Sequence, residues 1–405
     1  MTIALVIWQL DTYGGSIRQI LEEARYLQKQ GHHVDIFAYR VDKAKCFPEF
    51  INEVNVIAAR PIKISQEFYN QSDPILKRIR AFIRNEWVQL QQVRAIGDQI
   101  EIHHKKKQYD VINYHDHGVY RLTSRFPTVK NVWMMNDPPS FIDAKEKGAS
   151  EYAQTTLMRV LAWIERIRTN RALVHMDTIV VLDERNKDIV QRHFKKSAMI
   201  VKSGLSIPND LKQFLVKKKH KKIQLLTTNI FFRHRRYEDL IEAANILIHQ
   251  YKVKNVDFHI VGDPAPDMGY FQLIEQLVKE YGLGSYVKFL GKVSEAELER
   301  EYREADVFVF PNHNQTWGLS VFEACLRGCA VLVSKTAGAH DVLTDGKNAL
   351  FIEPKNPSHL AKQLERIITD AKLRNSIAKA GHTFVLKNIS WSHYAKDMDT
   401  IFKNA

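Results

Sequence analysis

The chain has 405 residues, of which 45% are hydrophobic and 26% are charged, and its formal net charge is +13. This composition is that of an ordinary globular protein, and the length predicts two domains of about 200 residues. No apolar run approaches the roughly 18–20 residues of a membrane-spanning helix, which excludes an integral membrane protein of that type.

Strand and helix signals alternate along the first half of the chain. The apolar segment Thr2–Trp8 has no basic leader and no cleavage site, so it predicts a first strand and not a signal peptide. A helix is expected at 17–30, and Gly31 stands where helices commonly end. Such apolar strands, separated by helices, predict a parallel sheet covered on both faces. Further strands are expected at 33–38, 55–59, 110–115, 129–136 and 177–183.

The stretch from Lys77 to Lys107 is basic and has helical periodicity. Apolar residues such as Ile79, Phe82 and Ile83 fall on one side of that helix, and basic ones such as Arg84 fall on another. A helix of this kind can lie on an anionic membrane surface, at the inner face of the membrane. A solvated helix on a lysine-rich protein explains the pattern as well. Nucleic acid is not expected as a partner, because aromatic and basic residues do not interleave as base stacking requires.

The alternation lapses around residues 205–222, where Pro208 precedes a lysine-rich stretch, and this predicts an interdomain linker. The pattern then restarts, and Ser294 followed by Glu297 predicts a capping box at a helix start. Two doubly wound sheets in series predict a cleft in which ligands gather at the carboxyl ends of the strands. Strands are expected at 223–229, 256–262, 287–291, 307–311, 330–334 and 349–353.

The three cysteines, Cys46, Cys325 and Cys329, cannot form a disulfide framework. Cys325 and Cys329 lie four residues apart on an apolar helix, with no second pair to complete a zinc site. They predict buried thiols in a protein of the reducing cytoplasm. The acidic run Asp397–Asp399 lies on a C-terminal helix far from any strand end, and it is expected to be solvated surface.

The segment Asn312–Cys325 carries the most specific chemical signal. It follows an apolar strand and leads into a helix, and Gly318 stands where a backbone turns tightly or approaches a ligand closely. The helix that begins there directs the N–H groups of Leu319 and Ser320, and its positive dipole end, at the loop. Glu323 follows on its first turns. Amides for phosphates and a carboxylate for ribose hydroxyls suit a nucleotide diphosphate.

This segment resembles the EGFGLxxxEA box of retaining family-4 glycosyltransferases, the glycosyl transferases group 1, which have the GT-B fold. The block Gly338–Pro354 is similar to that family's GGxxEvixdGxnGllv-P tail, and the likeness extends, more loosely in the first half, over most of 2–404. It implies two Rossmann-like domains that face a central cleft. The implied parts are an acceptor-binding domain at 1–205, a linker at 206–222, a nucleotide-sugar-binding domain at 223–385 and a helix at 386–405 that crosses back to the first domain.

The resemblance also implies which residues hold the donor. Counting back from the residues LIEA at 240–243 puts Arg235 at the family's lysine, where it would stabilise the departing diphosphate, and Arg236 at its glycine. Arg233 is a second candidate for the same phosphates. Gln315 replaces the first glutamate of the family's pair and would contact the donor sugar without a negative charge. A merely solvated basic turn remains the alternative for the arginines.

Three further donor contacts are implied in glycine-containing loops. Gly14 and Gly15, after the first strand, would touch the donor diphosphate and the acceptor. Gly262, at the end of a strand, would skirt the nucleotide, and the backbone at Lys292 and Val293 would bracket the base. A purely structural turn explains each of these positions nearly as well.

The acceptor is expected in the first domain. Where the family often carries a histidine, this chain has Asn136, and the adjacent Asp137 could take a proton or orient the acceptor. His115 and His117, at a strand end, resemble the family's H-x-H-D spot and are expected to face the cleft. No metal is expected there, because adjacent residues at a strand end alternate faces and rarely converge on one ion.

The sequence therefore predicts a metal-independent retaining glycosyltransferase without a cofactor, in which Arg235, Glu323, Gln315 and Asp137 are the catalytic candidates. Its co-substrate would be a nucleotide diphosphate sugar. Its acceptor would be a glycan or a lipid-linked intermediate, as in surface polysaccharide assembly. Two alternatives stay open: a catalytically weak sugar-nucleotide-binding protein, since Gln315 lacks a carboxylate, and a GT-B enzyme of different chemistry, such as a sugar-nucleotide epimerase or a phosphorylase.

Overall fold

The computed structural model describes residues 1–12, 14–62, 67, 74–115, 118–139, 142, 156–214, 217 and 221–404. The chain forms two compact units. The first comprises Met1–Leu182, Asn186–Val201 and the C-terminal segment from Trp391. The second comprises Asp183–Arg185 and Lys202–Ser390.

The first unit is built on one parallel sheet. Its strands are β1 (Thr2–Val6), β2 (Gln9–Leu10), β3 (His33–Ala38), β4 (Arg40–Val41), β5 (Asn55–Ala58), β6 (Val111–His115), β7 (Lys130–Met135), β8 (Thr178–Val181) and β9 (Met199–Ile200). Seven of them form the sheet in the order β5-β3-β1-β6-β7-β8-β9, and β2 pairs with β4 separately. In the central register Leu5 lies opposite both Ile36 and Asn113. The parallel sheet predicted from the apolar strands is confirmed.

The helices of the first unit cover both sheet faces. They are α1 (Gly15–Lys29), α2 (Pro48–Ile51), α3 (Ile75–Lys106), α4 (Thr156–Val174), α5 (Glu184–Phe194, whose first two residues group with the second unit) and the C-terminal helix Trp391–Asn404, with a 3-10 segment at Val119–Arg125 and a short one at Lys43–Lys45. Helix α1 ends as predicted, since Gly31 has a left-handed backbone with φ of 85°. The basic helix expected from Lys77 is α3.

The C-terminal helix Trp391–Asn404 packs within the first unit, against α1. The hydroxyl of Tyr394 donates a hydrogen bond to Glu23 Oε2 at 2.8 Å. The prediction that the acidic run Asp397–Asp399 is solvated is wrong for Asp399. Its side chain is buried, because it lies on the helix face towards α1, and it contacts His32 Nε2 at 2.9 Å.

The second unit also has a parallel sheet. Its strands are β10 (Ile223–Thr228), β11 (Val256–Val261), β12 (Val287–Gly291), β13 (Val307–Phe310), β14 (Ala330–Ser334) and β15 (Leu350–Ile352). Their order is β12-β11-β10-β13-β14-β15. The order of neighbouring strands therefore switches between β10 and β13, from decreasing to increasing strand number, while the strands stay parallel. In open α/β sheets ligands bind outside the carboxyl ends of the strands at such a reversal. All six strands predicted for this half of the chain are confirmed.

The helices of the second unit enclose its core. They are α6 (Tyr237–Asn245), α7 (Met268–Glu280), α8 (Glu295–Glu304), α9 (Leu319–Leu326), α10 (Pro357–Thr369) and α11 (Ala371–Asn388), with a π-helical turn at Ile246–Gln250 and 3-10 turns at Asn209–Leu211, Arg233–Arg235, Ala265–Asp267 and Gly338–Val342. The predicted capping box is present, because Ser294 and Glu297 each accept a hydrogen bond from the other's backbone N–H.

The thiols of Cys325 and Cys329 are buried, as predicted, and so is that of Cys46. Within the described ranges, no helix is both long and apolar enough to cross a membrane.

Candidate functional site

Loops that follow four strands of the second sheet lie at its carboxyl-end edge. The turn Arg233–Arg235 follows β10, Gly262 follows β11, Val293 follows β12 and the loop 311–318 follows β13. Because parallel strands present their carboxyl ends at one edge, residues far apart in sequence share this edge. At the reversal itself, the side-chain amides of Asn229 and Asn312 lie 3.2 Å apart and are hydrogen-bonded.

The loop after β13 delivers the N-terminus of helix α9. Gly318 has φ of 88°, and a Cβ atom there would lie 3.0 Å from the ring of Phe310, so both conformation and space require glycine. Helix α9 begins at Leu319. The first N–H groups of a helix lack intrahelical partners, and the helix dipole makes this end positive. The half-buried residues Leu319 and Ser320 therefore offer amides to an anion.

The loop before α9 is fixed from two sides within the second unit. The backbone N–H of Trp317, whose φ is 44°, donates to Asp183 Oδ2 at 3.2 Å. The N–H of Gly338 donates to the carbonyl oxygen of Gln315 at 2.9 Å. A Cβ atom on Gly338 would lie 2.6 Å from the Trp317 nitrogen, so the loop and the block that begins at Gly338 pack directly together.

Glu323 lies on the second turn of α9 and is held by a buried tyrosine. The hydroxyl of Tyr302 donates to Glu323 Oε2 at 3.0 Å and lies 3.1 Å from Thr228 Oγ1 at the end of β10. Burial raises the pKa of the Glu323 carboxyl, while the charge of Arg327 and the Tyr302 hydrogen bond act in the opposite direction. Tyr302 was not among the predicted site residues.

The arginines after β10 differ in their surroundings. Arg236 has φ of 56°, which is the conformation that a glycine would adopt without strain, and its guanidinium bonds Asp239 at 2.9 and 2.5 Å. Arg233 is exposed, and its guanidinium lies 5.6 Å from the centre of the Tyr270 ring. Arg235 is half-buried at the end of the turn. The Asp239 carboxylate thus pairs with Arg236, while Arg233 and Arg235 lie on the turn at the carboxyl-end edge of the sheet.

Comparison with known proteins indicates the kind of protein to which this site belongs. Residues 209–384 match the family described as glycosyl transferases group 1. This region of the chain is therefore similar to the glycosyl transferases group 1 domain. An uncharacterised glycosyltransferase from Methanocaldococcus jannaschii is 23% identical to it, over 100% of this chain and 98% of that protein.

Two solved structures show that the fold of this glycosyltransferase is GT-B, as predicted. Sucrose-phosphate synthase from Thermosynechococcus elongatus has a TM-score of 0.75 and 19% identity, and the match covers 100% of this chain and 98% of that one. HepE from Anabaena, in complex with UDP and glucose, has a TM-score of 0.69 and 15% identity, with 100% of both chains covered. The chain therefore has the GT-B fold.

Gln315 is where this glycosyltransferase departs from its family's pattern. The side chain is half-buried, and its Nε2 donates to the backbone oxygen of Thr316 at 2.9 Å. One of its two amide hydrogens is therefore engaged within the loop.

The structure explains why residue 262 is a glycine. A Cβ atom there would lie 1.8 Å from the backbone oxygen of Asn229, so only glycine lets the ends of β10 and β11 approach. The Gly262 N–H donates to the carbonyl oxygen of Gly291 at 2.9 Å. Val293 is half-buried and directly precedes the helix cap at Ser294.

In the first unit, His115 does not lie where the sequence predicted. His115 was expected to face the cleft, but its side chain is fully buried, with Nε2 3.0 Å from Asn113 Nδ2 and 3.3 Å from Glu23 Oε2. The reason is that β6 is a central strand, so its last residue packs under α1. His117 lies outside the described residues.

The other predicted residues of the first unit are accessible. Asp137 is exposed, and the half-buried Asn136 accepts a hydrogen bond from Asn186 Nδ2 through its backbone oxygen at 3.2 Å. Gly14 has an extended backbone and caps α1, and Gly15 is exposed as the first residue of that helix. A Cβ atom on Gly14 would meet only Ile17, at 3.9 Å, so packing among the described residues does not require glycine there.

Proposed function

We propose that this glycosyltransferase transfers a sugar from a nucleotide diphosphate donor to a glycan or lipid-linked acceptor, with retention of configuration and without a metal. The main observation behind this proposal is that three features lie at one edge of the second sheet. They are the helix N-terminus at Leu319, the Glu323 carboxylate that Tyr302 hydrogen-bonds, and the arginine turn that includes Arg235. That HepE was solved with UDP and glucose supports a uridine diphosphate sugar as the first donor to test.

In the proposed reaction the bond between the sugar's anomeric carbon and the diphosphate oxygen breaks, and the acceptor oxygen bonds to that carbon on the same face. The acceptor's proton goes to the departing phosphate oxygen. Arg235 and the amides of Leu319 and Ser320 stabilise the charge that grows on the diphosphate. Glu323 accepts hydrogen bonds from ribose hydroxyls, and Gln315 contacts the donor sugar.

The other predicted residues have supporting roles in this proposal. Arg233 is a second contact for the phosphates, and the backbone near Gly262 and Val293 contacts the nucleoside. In the first unit, Asp137 and Asn136 are proposed acceptor contacts, and Gly14 and Gly15 a close backbone approach.

The first test is a panel of UDP- and GDP-sugars with EDTA present, read by isothermal titration and by release of free nucleotide diphosphate. Arg235→Ala should lower turnover by about 10²–10³-fold, as loss of one transition-state donor does elsewhere. Arg300→Ala, on an exposed helix position in the same unit, is the matched control. Unchanged turnover in Arg235→Ala, or turnover abolished by EDTA, would contradict the proposal.

A sugar-nucleotide-binding protein with weak turnover is the second candidate, and Gln315 favours it. Its neutral side chain is partly engaged with Thr316, so it contributes no negative charge near the reacting sugar. Under this candidate, Gln315→Glu raises turnover while nucleotide affinity stays the same. If the wild type already turns over and Gln315→Glu does not improve it, the transferase proposal stands.

We also propose that the exposed face of α3 contacts an anionic membrane. Leu76, Ile83 and Trp87 are 77%, 48% and 47% exposed on this helix. Arg80 and Arg84 line the same face, so basic and apolar residues lie side by side here and not on separate sides as the sequence predicted. This combination suits insertion of apolar side chains beside anionic headgroups.

Flotation with vesicles tests the membrane contact. Vesicles of phosphatidylcholine with 30% phosphatidylglycerol (a chosen composition, about a third anionic lipid) should recover the wild type. Pure phosphatidylcholine should not, and a double variant with Leu76→Ser and Trp87→Ser should lose recovery. Equal recovery of wild type and variant would exclude this face.

A further inference from the structure

The short segment Asp183–Arg185 belongs to the second unit although its sequence neighbours on both sides belong to the first. Its backbone and side chains form hydrogen bonds with the loop before α9 and with the turn Gly338–Val342. Asp183 Oδ2 accepts the N–H of Trp317 at 3.2 Å, and the N–H of Glu184 donates to Asp341 Oδ2 at 2.9 Å. The next residue, Arg185, is therefore anchored at the edge where α9 begins.

Arg185 is in an unusual position for a cation. Both terminal nitrogens, Nη1 and Nη2, are shielded from solvent, and neither has a hydrogen-bond partner among the described residues. The residue as a whole is half-buried, and its guanidinium has N–H donors but no acceptor. A buried ionised group without a partner is strongly unfavourable, and such groups are normally paired. The position suits a negatively charged ligand.

The surroundings of Arg185 are positively charged. The pKa of His313, in the loop after β13, is lowered by burial and then by the charges of Lys355, Arg236 and Arg185, with Asp239 acting in the opposite direction. Asp239 is bonded to Arg236 and so neutralises that arginine locally. The remaining positive charge around His313 comes from Arg185 and the exposed Lys355.

We propose that Arg185 binds a phosphate group of a substrate. Its planar fork matches two phosphate oxygens, and the contact would satisfy both buried nitrogens at once. The inference rests on the proposed function for its substrates. It adds one phosphate contact to those proposed in the loops that follow β10 to β13. The phosphate comes either from the nucleotide diphosphate or from a phosphorylated acceptor.

Arg185→Met keeps much of the side chain's volume and removes the charge, and Arg300→Met at an exposed position is the control. Uridine, UMP, UDP and pyrophosphate are titrated into each protein. If the donor supplies the phosphate, Arg185→Met binds UDP about 10- to 150-fold more weakly, the loss expected for one charge-assisted contact, and binds uridine as the wild type does. If the acceptor supplies it, UDP affinity is unchanged, and the additional stabilisation that pyrophosphate gives to the UDP-saturated wild type in a thermal melt is lost in the variant.

Unliganded stability separates ligand binding from a structural role. Removing an unpaired buried charge should leave the melting temperature of Arg185→Met equal to that of the wild type or higher. A lower melting temperature, or UDP and pyrophosphate responses equal to those of the wild type, would overturn the proposal. If wild-type protein binds no nucleotide at all, the proposed function fails. The pyrophosphate melt then still decides the role of Arg185 on its own.

Discussion

Replacing Tyr302 by phenylalanine tests how the glycosyltransferase holds Glu323. The Tyr302 hydroxyl donates to Glu323 Oε2 at 3.0 Å and lies 3.1 Å from Thr228 Oγ1, so it fixes one carboxylate oxygen and leaves the other for a ligand. Tyr302→Phe removes this contact and keeps the ring that packs in the core. We expect weaker nucleotide binding through Glu323, not through loss of fold.

The size of the effect follows from what the hydroxyl does. In the proposed function Glu323 accepts hydrogen bonds from a ribose. Without the Tyr302 hydroxyl its side chain would become ordered only on binding, and ordering one side chain costs about 0.5–1.5 kcal/mol. That corresponds to UDP affinity about 2- to 13-fold weaker. The same change removes a buried hydrogen bond to a charged group, which lowers the free energy of unfolding by about 1.5–3 kcal/mol. Affinity is therefore measured well below the melting temperature of the variant.

A pH series distinguishes positioning from general damage. Burial raises the pKa of Glu323, and the Tyr302 hydrogen bond is one of the contributions that lower it. Tyr302→Phe raises that pKa further, so the carboxylate is lost at a higher pH as the solution is acidified. The affinity deficit measured by titration calorimetry should be larger at pH 6 than at pH 8. A deficit that is absent, or equal at both pH values while Glu323→Gln weakens binding, would refute the reasoning. Tyr251→Phe, at an exposed position in the same unit, is the control.

Three further predictions concern stability and reactivity. Gly262→Ala should destabilise the second unit by at least about 1–3 kcal/mol in urea unfolding, because the new Cβ would lie 1.8 Å from the backbone oxygen of Asn229; a midpoint equal to that of the wild type would contradict the contact. Burial raises the pKa of Cys46 to about 11 and that of the other two thiols as well, so a thiol reagent at pH 7.5 should modify the cysteines only after denaturant is added. Asp399→Ala leaves Nε2 of half-buried His32 without its carboxylate partner and should lower the free energy of unfolding by about 1–3 kcal/mol, whereas an unchanged value would place Asp399 in solvent.

The sheets were predictable because central parallel strands are buried on both faces. The runs 307–310 and 330–333 are apolar throughout, and every residue in them is buried. The short strands β2, β4 and β9 were missed. Each has two residues, which is too few to show any periodicity, and their pairing depends on where the neighbouring strands end.

The conformation of the loop before α9 was partly predictable from turn chemistry, since Gly318 has the left-handed backbone that a glycine there suggests. Tyr302 was not predictable, since it lies in a charged helix where one aromatic residue is expected to serve the core. The position of the His115 side chain was predicted wrongly for a related reason. Its burial depends on Glu23, which lies far away in sequence, and no local pattern reports that contact.

The loop before α9 shows why these distant contacts matter for the chemistry. Asn314, Trp317 and Gly318 all have positive φ, and for the two non-glycine residues this conformation costs on the order of 1–3 kcal/mol each. Such strain persists only where surrounding contacts determine it. Here the contacts are the hydrogen bonds from Trp317 to Asp183 and from Gly338 to Gln315. The loop's conformation is thus set during folding, so the amides of α9 meet an anion already oriented, and binding does not have to order them.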